Sequence, residues 1–151
     1  MTRHLERIFY AGLTRRWHTS AHLSGTCDRL DGHQARVARI ILALWPDASR
    51  DLLIAALTHD DGESVTGDIP ATYPKSDRHK VAEVFARKDI WGSGMPCLSY
   101  ADGQRLHLAD KVDAYQWAYH HAPHIMGQPE WVEAWEQIEA MAVGLGVEVE
   151  R

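Results

Sequence analysis

Hydrophobic residues recur along most of the chain at intervals of three and four positions, which is the period of an amphipathic α-helix. The segment DGHQARVARIILALW shows this pattern clearly, with Val37, Ile41 and Leu44 on one face. No stretch of five residues alternates with the period of two that marks a half-buried strand. We therefore expect an all-α protein, a single domain built as a bundle of five to seven helices. The predicted helices lie near 4–13, 31–45, 47–60, 76–88, 105–121 and 129–145.

The third predicted helix, residues 47–60, is apolar through most of its length and is expected to lie centrally and nearly all buried. Asp47 or Ser49 can cap its start, and the helix is expected to end on His59 and Asp60. Residues 14–30 show no sustained period and are expected to form a loop.

Two of the predicted helices carry large side chains on one face. Leu5 and Phe9 fall on the same side of the first helix, which predicts an amphipathic helix. Trp131 and Trp135, spaced i and i+4, make a large apolar face on the last helix. We expect these tryptophans to pack into the core, with a subunit interface as the alternative.

Composition narrows the classes of function. A formal net charge of −5 over 151 residues lacks the basic footprint of a nucleic-acid-binding protein, although a local positive pocket for a small metabolite remains compatible. Cys27 and Cys97 form no CxxC pair, and they are typical of thiols in a reducing compartment. The amino terminus has no signal-peptide pattern, and no apolar stretch approaches the roughly 20 residues of a membrane span. A cytoplasmic protein without membrane contact is expected.

Ionisable groups crowd the segment LTHDDGESVTGDIP, residues 57–70, directly after the apolar third helix. Carboxylates placed so close together repel one another and lose hydration, which is unfavourable unless a positive charge lies among them. A metal ion would supply that charge. The segment therefore predicts a metal site that includes His59 and Asp60.

Two further residues are candidate ligands on other helices. His33 lies near the start of the second helix, and Asp110 lies on an apolar stripe with Leu106, Asp113 and Trp117. An unpaired carboxylate on such a stripe is costly, although a salt bridge to a neighbouring lysine or arginine would also account for it. Imidazole and carboxylate ligands without cysteine suit a divalent ion such as zinc, cobalt, manganese or iron.

The arrangement of His33, His59-Asp60 and Asp110 resembles the H…HD…D signature of the HD-domain phosphohydrolases. This resemblance implies that the all-α bundle of five to seven helices is a single HD-type domain, in which the four residues bind the catalytic metal ion. Zinc, cobalt or manganese is the expected ion, and magnesium is a candidate additional ion.

Flanking residues extend the resemblance to the bacterial 5′-deoxynucleotidases over roughly residues 1–120. ALTHDDGESVTGDIP is similar to their LLHD…E…TGD.P block, and LADKVDAY resembles their distal aspartate motif. Arg16-Trp17 matches the Arg-Trp pair that precedes their first histidine. Small phage dATP triphosphohydrolases belong to the same branch, and this chain is similarly short.

The resemblance implies catalytic roles for Glu63 and Asp68. Glu63 would act as a general acid or base or would position water, with a helix-capping acid as the structural alternative. Asp68 would orient a metal-bound histidine or the water, with a turn-forming aspartate after Gly67 as the alternative. Asp61 is expected to be a solvated surface residue.

Four residues are expected to contact substrate. Arg16 has the planar donor fork that suits phosphate oxygens, and Lys75 can add a point charge. The resemblance implies that Trp17 packs against deoxyribose and excludes a 2′-hydroxyl, while the structural alternative is a core tryptophan. His18 is expected to bridge to a phosphate or to Glu63.

The expected function is metal-dependent hydrolysis of 2′-deoxynucleotides, with dATP triphosphohydrolase activity first. A broad 5′-deoxynucleotidase that acts on the monophosphates is the alternative, and a catalytically inactive nucleotide-binding scaffold is the second alternative. No GYP tripeptide follows the His-Asp pair, which disfavours hydrolysis of cyclic dinucleotides. The resemblance also implies a homo-oligomer, either a dimer or a hexamer.

Overall fold

The computed structural model describes residues 3–69 and 75–151. Within these ranges the chain is all-helical and has no strand, apart from an isolated bridge between Arg15 and Arg29, which confirms the predicted all-α class. Two short 3₁₀ turns lie at Gly92–Gly94 and Pro123–Ile125, and residues 13–29 form the predicted loop. The helices are α1 (Arg3–Gly12), α2 (Leu30–Leu44), α3 (Arg50–Ala56), α4 (Glu63–Thr66), α5 (Asp77–Trp91), α6 (Tyr100–His121) and α7 (Pro129–Leu145).

The principal core lies where α2, α3 and α7 pack around α6. Each fully buried aliphatic or aromatic side chain contributes about 1.5–3 kcal/mol relative to an exposed one. Trp135 is buried here, and Trp131 packs against the same cluster, in agreement with the core interpretation of these tryptophans. The buried core residues include Val37, Ile41, Leu52, Leu108, Tyr115, Trp135 and Ile138.

Serine side chains cap the N-termini of three of the helices. Ser49, Ser76 and Ser99 each accept a hydrogen bond from the backbone N–H three residues later, which satisfies one of the free donors of the first turn. The cap at Ser49 was one of the two predicted for α3. The last helix begins with Pro129 at its first position.

Helix α3 ends earlier than the sequence pattern predicts. Its last residue is Ala56, and the Thr58 N–H donates to the carbonyl of Ala55 only three residues back, which tightens the backbone out of the α-helical pattern. His59 and Asp60 consequently lie in turns after the helix instead of in its last turn. A straight helix would point these adjacent side chains about 100° apart, whereas the turns allow both to face one point.

The first helix is amphipathic as predicted, but part of its apolar face is not covered. Leu5 is 53% exposed and Phe9 is 59% exposed, while the small side chain of Ala11 is buried. The helix packs against α2, α4 and α5. Periodicity predicted the helix and could not predict which of its apolar side chains would be covered.

Gly62 allows α4 to approach α5 closely. A Cβ atom at this position would overlap the backbone carbonyl of Glu83, which no flexible side chain could relieve. The glycine thereby sets the position of Glu63, the first residue of α4.

None of the helices in the described ranges combines the length and the apolar character needed to cross a lipid bilayer.

Candidate metal centre

The fold brings together the four residues predicted as metal ligands. His33 comes from α2, His59 and Asp60 come from the turns after α3, and Asp110 comes from the middle of α6. One potential ligand atom from each lies within 4.8 Å of the other three. These four residues therefore form a group that could hold a metal ion.

The distances within this group fit a shared cation. The His33 Nε2 atom lies 3.3 Å from Asp60 Oδ2 and 3.2 Å from Asp110 Oδ1. The His59 Nε2 atom lies 3.4 and 3.8 Å from the same two oxygens. Ligands at zinc-like distances around one tetrahedral ion are separated by about 3.3 Å. Both Nε2 atoms are buried without a hydrogen-bond partner among the described residues, and this arrangement is typical of nitrogens that bind a metal ion.

The other ring nitrogen of each histidine fixes the direction of its Nε2 atom. The His33 Nδ1–H group donates to Asp113 Oδ2 at 2.6 Å, and the His59 Nδ1–H group donates to the carbonyl of Ala56 at 2.8 Å. With Nδ1 protonated, the lone pair of a neutral imidazole is on Nε2 and faces the carboxylates. Both imidazoles are thereby oriented for metal binding.

The carboxylates of the group make the site strongly negative, so that it favours a bound positive charge. Burial opposes protonation of His33, but the neighbouring Asp110, Asp113 and Asp60 outweigh it and raise the pKa of the imidazole to about 10. Burial likewise opposes ionisation of Asp60, yet His59 and His33 lower its pKa to about 2. A divalent metal ion can supply this positive charge in place of the protons on the imidazoles.

A buried network of two carboxylates and two guanidinium groups supports His33. Arg36 donates to Asp113 Oδ1 at 2.6 Å and to Asp28 Oδ1 at 2.9 Å. Arg16 lies 3.1 Å from Asp28 Oδ2 and 3.5 Å from Asp113 Oδ2. Arg36 also stacks over the Trp117 ring, with its central carbon 4.4 Å from the ring centroid. Opposite charges are thus balanced where burial makes an unpaired charge costly.

Only part of this network was predicted from the sequence. Arg16 was a predicted phosphate contact, and Asp113 was placed on the same helix face as Asp110. No role was predicted for Asp28 or Arg36. The spacing of Arg36 three residues after His33 was the one available signal, because side chains at i and i+3 share a helix face. Asp28 lies in a loop, where no periodicity marks it.

Arg16 contacts the carboxylates that support His33, and Trp17 follows it in the chain, but both side chains are more buried than a solvent-facing substrate contact would be. Arg16 is 9% exposed and points its Nη1 atom at carboxylates. The Trp17 indole N–H donates to Asp28 Oδ2 at 3.1 Å, and its ring packs in a second apolar cluster with Leu23 and Ile125. The rest of this ring borders a cavity of about 490 Å³ between the 13–29 loop, α6 and α7.

Glu63 and Lys75 form a second charged cluster. Lys75 Nζ lies 2.8 Å from Glu63 Oε1 and 2.7 Å from Glu83 Oε1, and His79 also contacts Glu83 at 3.0 Å. The other oxygen of Glu63, Oε2, is buried and has no hydrogen-bond partner within the described residues. Burial and then the nearby charge of Asp60 raise the pKa of Glu63 to about 8. Glu63 is consequently held beside the metal group with one oxygen free.

Asp68 and His18 have different neighbours from those expected. The carboxylate of Asp68 accepts a hydrogen bond from the backbone N–H of Trp17 at 2.7 Å, so it holds the 13–29 loop instead of a ligand histidine. Trp17 has a φ of 61°, and this contact helps to fix that rare backbone conformation. His18 is exposed, and no hydrogen bond joins it to Glu63 in the part of the chain that the structure describes.

Two expectations about neighbouring acids are wrong. Asp61 is 3% exposed and accepts hydrogen bonds from Gln34 at 2.8 Å and from the Trp91 indole at 2.6 Å, so it is a buried structural acid and not a surface residue. The alternative salt bridge from Asp110 to Lys111 or Arg105 is absent among the described contacts. Lys111 donates to Gln137, and Arg105 pairs with Asp102.

Comparison of the chain with protein-family models, with curated proteins and with solved structures finds no match.

Proposed function

We propose that the protein is a metal-dependent phosphohydrolase of 2′-deoxynucleotides. The observation that carries this proposal is the convergence of His33, His59, Asp60 and Asp110, with two unpartnered imidazole nitrogens beside two carboxylates. The nitrogen and oxygen ligand set favours zinc, cobalt or manganese. A divalent ion held there supplies Lewis-acid activation of water and of a phosphoryl group.

Protein groups around the metal ligands would perform the remaining tasks. Glu63 Oε2, buried without a hydrogen-bond partner among the described residues, is available to accept a hydrogen bond from the attacking water or, when protonated, to donate one to the leaving oxygen. Lys75 brings an ammonium group to Glu63, where it can also attract a phosphate oxygen. The indole of Trp17, fixed by Asp28 on one side and by Asp68 through its backbone, provides a rigid wall for the sugar. Rigid placement of such groups is what lowers the barrier.

Two substrates compete within this proposal. The leading one is dATP, which hydrolysis at the 5′ oxygen would convert into deoxyadenosine and tripolyphosphate. The alternative is a 5′-deoxynucleotidase that converts deoxynucleoside monophosphates into deoxynucleosides and orthophosphate. A triphosphate needs more room and more positive charge. Arg16, Arg36 and Lys75 each contact an acid that adjoins the metal group. Arg87 contacts a ligand residue itself, with its Nη1 atom 3.4 Å from the His59 carbonyl oxygen.

A substrate panel tests the proposed function. Deoxy- and ribonucleotides with one, two or three phosphates are incubated with protein loaded with zinc, cobalt, manganese or magnesium, and orthophosphate is separated from tripolyphosphate. Tripolyphosphate from dATP supports the leading activity, and orthophosphate from monophosphates supports the alternative. If the metal-loaded protein binds a deoxynucleotide but turns none over, the inactive scaffold replaces both.

The role of Trp17 predicts a measurable change in sugar selectivity. Replacement of Trp17 by phenylalanine keeps an aromatic ring but removes the bulk that would clash with a 2′-hydroxyl, so the ratio of kcat/KM for deoxy- over ribonucleotide should fall by about tenfold or more. Trp131→Phe is the matched control, because the ring centroids of Trp131 and Trp17 lie 6.3 Å apart and the two rings belong to the same aromatic cluster. Equal selectivity in wild type and Trp17→Phe would show that Trp17 is a core residue only.

A further inference from the structure

Two exposed histidines from distant parts of the chain meet at the surface, away from the metal group described above. His22 lies in the 13–29 loop, and His124 lies in the 3₁₀ turn Pro123–Ile125 that links α6 to α7. The His22 Nδ1 atom lies 3.4 Å from the His124 Nε2 atom, although the residues are 102 positions apart in sequence. Both side chains are exposed, so both nitrogens can be reached from solvent.

This separation suits a shared metal ion better than a direct hydrogen bond. A hydrogen bond from a ring N–H group usually spans about 2.7–3.2 Å, so 3.4 Å is long. Two nitrogens that bind one tetrahedral zinc ion at 2.0–2.1 Å lie about 3.3 Å apart. The ring centroids of His22 and His124 are 5.3 Å apart, nearly the same as the 5.2 Å between His33 and His59 in the metal group.

We propose that His22 and His124 form a second, surface site for a divalent transition-metal ion of the zinc class. Two imidazole nitrogens supply the protein ligands, and solvent completes the coordination. Imidazole is a preferred ligand of zinc, nickel and copper, and it binds magnesium and calcium poorly. The site is therefore selective for the borderline metals.

An ion at this position would clamp the 13–29 loop to the connection between α6 and α7. The loop carries Arg16 and Trp17 and has little regular secondary structure to hold it, apart from the single bridge between Arg15 and Arg29. Because the two histidines meet only in the folded chain, an ion that binds both stabilises the folded state over the unfolded one. Metal binding should thus slow hydrogen exchange of the loop amides.

The test counts zinc ions in tag-free protein by equilibrium dialysis and elemental analysis. The wild-type chain should bind two zinc ions, whereas His22→Gln and His124→Gln should each bind one. Both positions are exposed, so the substitutions leave the core intact. Zinc should also protect the amides of residues 18–26 from exchange in the wild type and not in His124→Gln.

A matched control is His120→Gln, which removes an exposed histidine near the end of α6 whose ring lies against Tyr119 and pairs with no other imidazole ring among the described contacts. This variant should still bind two ions. Two ions in His124→Gln, or a single ion in the wild type that Asp60→Ala alone removes, would overturn the proposal. The outcome does not depend on hydrolysis, so its failure is distinct from a failure of the proposed phosphohydrolase activity.

Discussion

Asp60→Ala is expected to remove one metal ion per chain and to abolish deoxynucleotide hydrolysis. The Oδ2 atom of Asp60 lies within 3.4 Å of the Nε2 atoms of both His33 and His59, so alanine removes the oxygen that joins the two imidazoles. Substitution of groups that merely support a ligand lowers metal affinity or activity by about 10–100-fold, and loss of a ligand should exceed this. Elemental analysis and release of deoxynucleoside measure the two effects.

Asp102→Ala is the control for this prediction. Asp102 is an acid in the first turn of α6, the helix that also carries Asp110, and it pairs only with Arg105 at 3.2 Å among the described contacts. Its loss should leave both zinc content and turnover near wild-type values. If Asp60→Ala retains its full zinc content, the assignment of Asp60 as a ligand is wrong, whatever its activity.

The sequence predicted the helices well because packing of amphipathic helices follows a regular period. Four of the six predicted helices agree with observed ones to within a few residues at each end, and a further one, α6, begins earlier than predicted, at Tyr100. The third helix was predicted to reach residue 60, but it ends at Ala56. The hydrophobic period of the sequence gives no sign of the three-residue hydrogen bond from Thr58, which ends the helix, or of the turns that follow. The single turn of α4 is too short to give a periodic signal.

The ligand group was predictable because its residue types are costly in an apolar setting. His33, His59, Asp60 and Asp110 stand out as ionisable groups beside hydrophobic segments, and the structure brings all four together. The supporting contacts were not predictable in this way. An acid such as Asp61 or Asp28 looks the same in sequence whether it is solvated or buried against partners distant in the chain.

The two aspartates that support the metal group, Asp28 and Asp113, make different contacts. Asp28 and Asp113 each pair with both Arg16 and Arg36, and both are buried. Only Asp113 also contacts a ligand, through the 2.6 Å bond to His33 Nδ1. Asp113 is therefore placed to set the orientation and protonation of His33, while Asp28 pairs with the two arginines and accepts the hydrogen bond of the Trp17 indole.

Asp113→Asn should weaken metal binding by changing the tautomer of His33. When the amide oxygen takes the place of Oδ1 and keeps the 2.6 Å hydrogen bond from Arg36 Nε, the amide NH₂ group replaces Oδ2, which Arg36 Nη2 and His33 Nδ1 both contact in the wild type. His33 Nδ1 must then act as an acceptor. The ring proton moves to Nε2, the nitrogen that the metal ion needs, as in other histidines whose aspartate partner is replaced by asparagine. Zinc affinity should fall by about 10–100-fold, and ¹⁵N NMR of the metal-free protein should show that His33 carries an Nδ1 proton in the wild type and lacks it in Asp113→Asn.

Asp28→Asn separates this effect from general damage to the buried network. It removes a charge that pairs with the same two arginines, so both variants should lose stability in urea unfolding, where breaking a buried ion pair costs about 3–5 kcal/mol. His33 should keep its Nδ1 proton in Asp28→Asn, and zinc affinity should stay close to the wild-type value. If the two variants lose zinc affinity equally with no change in the His33 tautomer, Asp113 acts only by stabilising the fold and does not position the ligand.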